Sequence, residues 1–188
     1  MRNSRRQARE AALKSLYEME IAKTRIEDSI REMQLNNDLN DDLIQFAEAL
    51  IREVRNQGRF LDERIEAAVL DYDFDRIAAV DRNLLRIAAC ELFFFPHIPP
   101  AVSINEAIEL AKKYSTAESG RFVNGVLGRL LLESPKATWD PTAQSQEFEA
   151  APPTEPLPEE ETIDENSPEG KELTRVGLWK LRSDGDRA

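Results

Sequence analysis

The 188 residues carry 36 acids against 25 Lys and Arg, a net charge of −11, with one cysteine and one histidine. A single Cys90 excludes an internal disulfide framework and fits a reducing compartment, and the length suits one domain able to bury its own core. The most apolar run, ELFFFPHIPPAV, is cut by Pro96, Pro99 and Pro100 and falls short of the ~20 apolar residues that a membrane helix takes. The charged start has no apolar run behind it, unlike a secretory signal. A cytoplasmic protein with no membrane partner is expected.

Taken in chain order, Ser4 and Gln7 stand in capping-box spacing, which predicts a first helix from Arg5. LIQFAEALIREV places Leu43, Phe46, Ala47, Leu50, Ile51 and Val54 on one helix face. FDRIAAVDRNLLRIAACEL repeats the pattern with Ile77, Val80, Leu84, Ile87, Ala88 and Leu92. SINEAIELAKKY opens with Ser103 and Glu106, again at capping-box spacing. No stretch alternates polar and apolar residues as a strand does. The prediction is an all-α domain over 1–134, about seven helices with short connections.

Past LLESP the composition turns to Pro, Glu, Ser and Thr. Such a segment lacks the apolar surface to offset its chain entropy, so 135–188 is predicted to be a disordered acidic tail. It holds 6 basic and 13 acidic residues, net −7, whereas 1–134 holds 19 and 23, net −4. The tail reads first as a solubilising segment without contacts; the alternatives are that EEETIDE competes with an anionic ligand for the domain's cations, or that VGLWKL docks on a partner. A short amphipathic scrap, ELTRVGLWKLR, follows near the end.

Three patterns that suggest chemistry fail on their details. Gly120 and Gly125 have phosphate-loop spacing, but Val126 stands where the lysine is required; Gly125 and Gly128 are expected to be close-packing helix positions. Asp71, Asp73 and Asp75 alternate like calcium ligands, but Arg76 and Arg82 replace the glycine and the bidentate glutamate. Cys90 lies on an apolar helix face and reads as a buried structural thiol, not as a nucleophile paired with His97. No metal, cofactor or enzymatic activity is expected.

The arginines of the first helix are the candidates. At about 100° per residue, Arg5, Arg6 and Arg9 share a stripe with Ala12, Leu13 and Leu16, while Gln7, Glu10, Lys14 and Glu18 take the other side. Cations at a helix start oppose the macrodipole, and a merely solvated start has no reason to align them with its apolar side. Three planar guanidiniums facing a groove suit phosphates. All three are expected to contact nucleic-acid phosphates, the alternative being a solvated helix start, and their loss to leave folding nearly unchanged.

Three segments, RRQAREAALKSLYEME, VDRNLLRIAACEL and VSINEAIELAKKYSTAESGRFVNGVLGRL, together resemble the NusB family of transcription antitermination factors over about residues 4–132. The resemblance implies two small helical bundles packed together. It also implies binding of the boxA element of ribosomal RNA leader transcripts, jointly with the ribosomal protein NusE, within an RNA polymerase antitermination complex. Carried over by position, the RNA-binding residues are Arg5, Arg6, Arg9, Lys112, Lys113, Arg121 and Phe122; Phe122 reads equally as core or as a base-stacking ring. Tyr17, Asp81 and Glu118 match positions near the partner surface. Gln7 stands where many members have a further basic residue, and Glu118 replaces a frequent Asp. Two rival classes stay open. One is a structural or dimerising helical protein whose arginines meet acids of a second copy. The other is a module related to the front domains of rRNA methyltransferases, although nothing after residue 134 could hold a methyl donor.

Overall fold

A computed structural model describes residues 4–36, 38–70 and 73–140. Seven α-helices run in order: α1 (Arg5–Ile21), α2 (Ile26–Asn36), α3 (Asp41–Asn56), α4 (Gly58–Ala68), α5 (Ala79–Phe94), α6 (Pro100–Tyr114) and α7 (Ala117–Glu133), with one 3-10 turn at Phe74–Arg76 before α5. No strand occurs among the described residues. Helices α1 to α3 pack together, as do α4 to α7, and α5 lies against α1 and α3 so that the two small bundles share it. One contiguous core results, with Leu16, Ile30, Leu50, Ile65, Leu85, Leu110 and Leu127 contributed by the seven helices in turn.

The start of α1 follows its cap: the Ser4 N–H donates to Gln7 Oε1 at 2.8 Å, which satisfies one of the orphan donors of a helix start. The other expected capping box is not used. Helix α6 begins a turn early, at Pro100, with Pro99 in the N-cap position; a proline at N1 has its φ preset and no N–H to orphan. Ser103 is thereby carried inside the helix, and Glu106 is freed for a tertiary partner.

The segment expected to form one helix from Phe74 breaks instead. Ile77 is extended, with ψ of 132°, and Ala78 is also outside the helical region, with ψ of 136°; Ile77 is buried. Arg82 Nη1 compensates, donating to the carbonyls of Phe74, Asp75 and Ile77 at 3.3–3.5 Å. The same guanidinium pairs with Glu20 of α1. Arg86 bridges Glu20 at 2.8 Å and Asp62 of α4 at 2.6 Å, so charged cross-ties link three helices.

The glycines of α7 also differ from expectation. A Cβ at Gly125 or Gly128 would meet nothing within 4 Å, so neither is a close-packing position. Gly120 is the close one: a Cβ there would sit 3.3 Å from Lys112 Cγ and 3.6 Å from Ile108 Cγ2, where α6 and α7 meet.

The folded body continues past residue 134. Ser134 and Lys136 are 6 % and 5 % exposed, and turn bonds run from Ala137 N–H to Ser134 O and from Trp139 N–H to Lys136 O. Residues 141–188, which hold nearly all of the expected disordered tail and its amphipathic scrap, lie outside the described residues, as does Asp71.

Candidate nucleic-acid interface

Helix α1 presents its first two turns to α6. Arg6 forms a bidentate pair with Glu106, at 2.7 Å from Nε and 2.9 Å from Nη2. One turn on, Glu10 accepts from Lys113 Nζ at 2.7 Å and from the Tyr114 hydroxyl, and pairs with Lys14 at 3.1 Å. Lys112 pairs with Glu109 at 2.8 Å.

Exposure separates the two signs of charge. The side chains of Arg6, Lys14, Lys112 and Lys113 are 51 %, 59 %, 55 % and 57 % exposed, whereas Glu106 and Glu10 are each 18 % exposed. Glu106 and Glu10 thus lie beneath Arg6, Lys14 and Lys113, so a ligand approaching these cations meets positive charge first, whereas Glu109, 47 % exposed, lies level with Lys112. Burial alone would raise the Glu10 pKa, but its bonds from Lys113, Tyr114 and Lys14 outweigh that and hold it at about 2. Glu10 is therefore a permanent counter-charge at neutral pH.

Arg5 is exposed with its guanidinium carbon 5.1 Å from the centroid of Phe46 on α3. Neither it nor Arg121, exposed on α7, has a carboxylate partner among the described residues. Arg5, Arg6 and Arg9 line one side of a cleft of about 400 Å³, and Ile98, Pro99 and Val102 line the other.

Arg9 departs from the expected role. It is 3 % exposed and makes a bidentate pair with Glu91 of α5 at 2.6 and 3.1 Å. Its ring neighbour is again Phe46, at 5.4 Å. A guanidinium so enclosed and doubly bonded is part of the core, which argues against the expectation that its loss leaves folding nearly unchanged.

The remaining predicted residues fall as follows. Phe122 is half-buried and packs on the core. Asp81 is 6 % exposed and accepts from Ser119 Oγ at 2.8 Å, which places it against the first turn of α7 beside the exposed Glu118. Tyr17 is 41 % exposed on α1. Cys90 is fully buried, and burial pushes its thiol well above the usual range. Among the described residues no group of three or more His, Cys, Asp and Glu side chains could hold a metal, and no helix is long and apolar enough to cross a membrane.

A larger cleft, about 510 Å³, opens between α1, α3, α4 and α5. Of its four cationic side chains, Arg82 and Arg86 are held by Glu20 and Asp62, whereas Lys23 and Arg55 are exposed at its rim. Sequence reasoning missed Glu10, Glu106, Tyr114 and Glu91 as parts of the interface. Glu91 did leave a signal, because a lone acid inside the apolar run AACELFFF implies a buried partner.

Known proteins resemble the chain along this whole body. The profile of the NusB family matches residues 6–131. A transcription antitermination protein NusB of Salinibacter ruber is 43 % identical over 132 residues, covering 70 % of this chain and 82 % of the relative. That of Anaeromyxobacter dehalogenans is 42 % identical over 138 residues, covering 73 % and 96 %. Among solved structures, T. maritima NusB superposes with a TM-score of 0.67 at 34 % identity, covering 74 % of this chain and 99 % of the other. A crystal structure of the antitermination factors NusB and NusE with double-stranded RNA contains a chain with a TM-score of 0.64 at 28 % identity, covering 69 % and 96 %.

Proposed function

The chain belongs to the NusB family, and on that premise we propose that it is a cytoplasmic, non-catalytic antitermination factor. It binds boxA-type RNA of ribosomal RNA leader transcripts together with NusE and joins the RNA polymerase complex that reads through terminators. The observation that carries this reading is the layering of charge between α1 and α6, with half-exposed cations above nearly buried acids. Phosphates, like the carboxylates below, accept from Arg in a planar fork and from Lys as a point charge. The exchange therefore keeps the cations satisfied throughout.

The direct phosphate contacts are assigned to Arg5, Arg6, Lys112, Lys113 and Arg121. Arg9 is assigned a supporting role beneath them, and the exposed edge of Phe122 a base-stacking role. Tyr17, Asp81 and Glu118 are assigned to the NusE side. A second copy of the chain is a poorer occupant for the arginines, because Glu106 and Glu91 already hold two of them.

The test is a salt titration of RNA binding. Each single-strand phosphate contact contributes a slope of about −0.7, so replacing Arg5, Arg6 and Lys113 by Ala flattens log K against log salt by roughly 2. A slope equal to the wild type's removes these residues from the site. Adding NusE raises affinity for boxA-like over scrambled RNA, since a second protein on the same strand adds contacts and effective concentration. A duplex arm is included because a family member has been captured on double-stranded RNA.

A further inference from the structure

We propose that Lys136, just beyond α7, is a positioning residue for the arginine cleft. The inference rests on the RNA-binding reading above.

The α5 helix ends at Phe94, where the Glu91 carbonyl accepts the Phe95 N–H at 3.3 Å and the Phe95 carbonyl accepts the Ile98 N–H at 3.1 Å, each keeping a second lone pair for another donor. Lys136 Nζ lies 2.7 Å from Glu91 O, 2.6 Å from Phe95 O and 2.6 Å from Ile98 O. An ammonium has three donors and no acceptor, and here all three are spent on one carbonyl cluster. A positive charge at a helix C-terminus also complements the macrodipole. Burial lowers the Lys136 pKa to about 8, which still leaves the group charged at neutral pH.

One of the three carbonyls belongs to a wall of the cleft. Ile98 lines it directly, and the adjacent Pro99 and Pro100 set where α6, with Val102 and Glu106, begins. Another carbonyl is that of Glu91, whose carboxylate holds Arg9. One ammonium thus fixes both the residue that anchors Arg9 and the turn that places Glu106 against Arg6. The lysine is itself anchored: its N–H donates to Ser134 Oγ at 3.2 Å, and Ser134 Oγ donates to Leu131 O at 2.9 Å. A lysine serving only to solvate the end of α7 would not be 5 % exposed.

The experiment compares the full chain with Lys136→Met. Three readings are taken well below the melting temperature: helix content by circular dichroism, the Nε–H resonances of Arg6 and Arg9 by NMR, and affinity for a single-stranded boxA-like RNA at fixed salt. The variant is expected to stay helical, to shift both arginine resonances, and to bind RNA about tenfold more weakly, the scale of one lost charge-assisted bond. A folded variant with unmoved resonances and wild-type affinity overturns the proposal, even if its melting temperature falls. Should Lys136→Met not fold, Lys136→Arg carries the same readings, because it keeps charge and donors but replaces the compact ammonium that three carbonyls surround. Failure of the wild type itself to bind RNA overturns the functional reading instead, and the arginine resonances still decide whether Lys136 positions the cleft.

Discussion

Arg9 sits on the same α1 stripe as Ala12, Leu13 and Leu16, all of which are buried. That stripe was legible from periodicity, and of its three arginines Arg9 alone lies inward, while Arg5 and Arg6 are exposed. It could not say which guanidinium reaches a ligand and which reaches a carboxylate, because Glu91 is 82 residues away. Arg5, one helical turn earlier, clears the edge of the core and stays exposed. The difference has an energetic consequence. Removing one member of a buried ion pair leaves the other charge uncompensated, so Arg9→Ala should destabilise the fold by about 3–5 kcal/mol. Arg5→Ala should cost under about 0.5 kcal/mol. Urea denaturation of both variants checks this. Equal midpoints would mean that the Arg9–Glu91 pair contributes nothing to stability.

At the level of elements, the hydrophobic faces of α3 and α5 were readable because an apolar stripe is a local property. Helix ends were less so. Ser103 and Glu106 carry a real capping pattern, yet Pro100 starts α6 earlier and Glu106 turns to Arg6; one local signal overrode another. The break at Ile77 depends on Arg82 satisfying three carbonyls, which no periodicity reveals. The glycines of α7 show the same limit, since spacing alone cannot separate close approach from open surface. Gly125 and Gly128 lie in a helix interior with room for a methyl group. Ala at each should raise stability by about 0.5–1 kcal/mol. Gly120→Ala should lower the melting temperature, because its Cβ presses on Lys112 and Ile108. Thermal denaturation of the three variants tests both signs, and destabilisation by Gly125→Ala or Gly128→Ala would contradict the open surface described for those positions.

For the molecule as a whole, the helical class and the family were readable over most of the chain, while the far edge of the body was not. The composition changes at LLESP, and a lone lysine beyond it carries no sign that its ammonium is buried. Truncation separates the two boundaries. Ending the chain after Asp140 should leave the melting temperature within about 2 °C, whereas ending it after Glu133 removes Ser134 and Lys136 and should lower it by roughly 5 °C or more. The shorter cut also deletes residues 141–188, with 12 acids against 5 bases. RNA affinity should then rise a few-fold at low salt, and the gain should vanish at high salt as long-range repulsion is screened. An unchanged low-salt affinity would mean that the tail's charge is not felt at the interface. The layered face between α1 and α6 imposes a threshold of its own. A lone chloride or mononucleotide that takes Arg6 or Lys113 must evict the tethered carboxylate each one holds, and the tether restores that carboxylate at once. Only an oligonucleotide that engages several sites together holds them all displaced, so the face reads the length of its ligand before it reads any base.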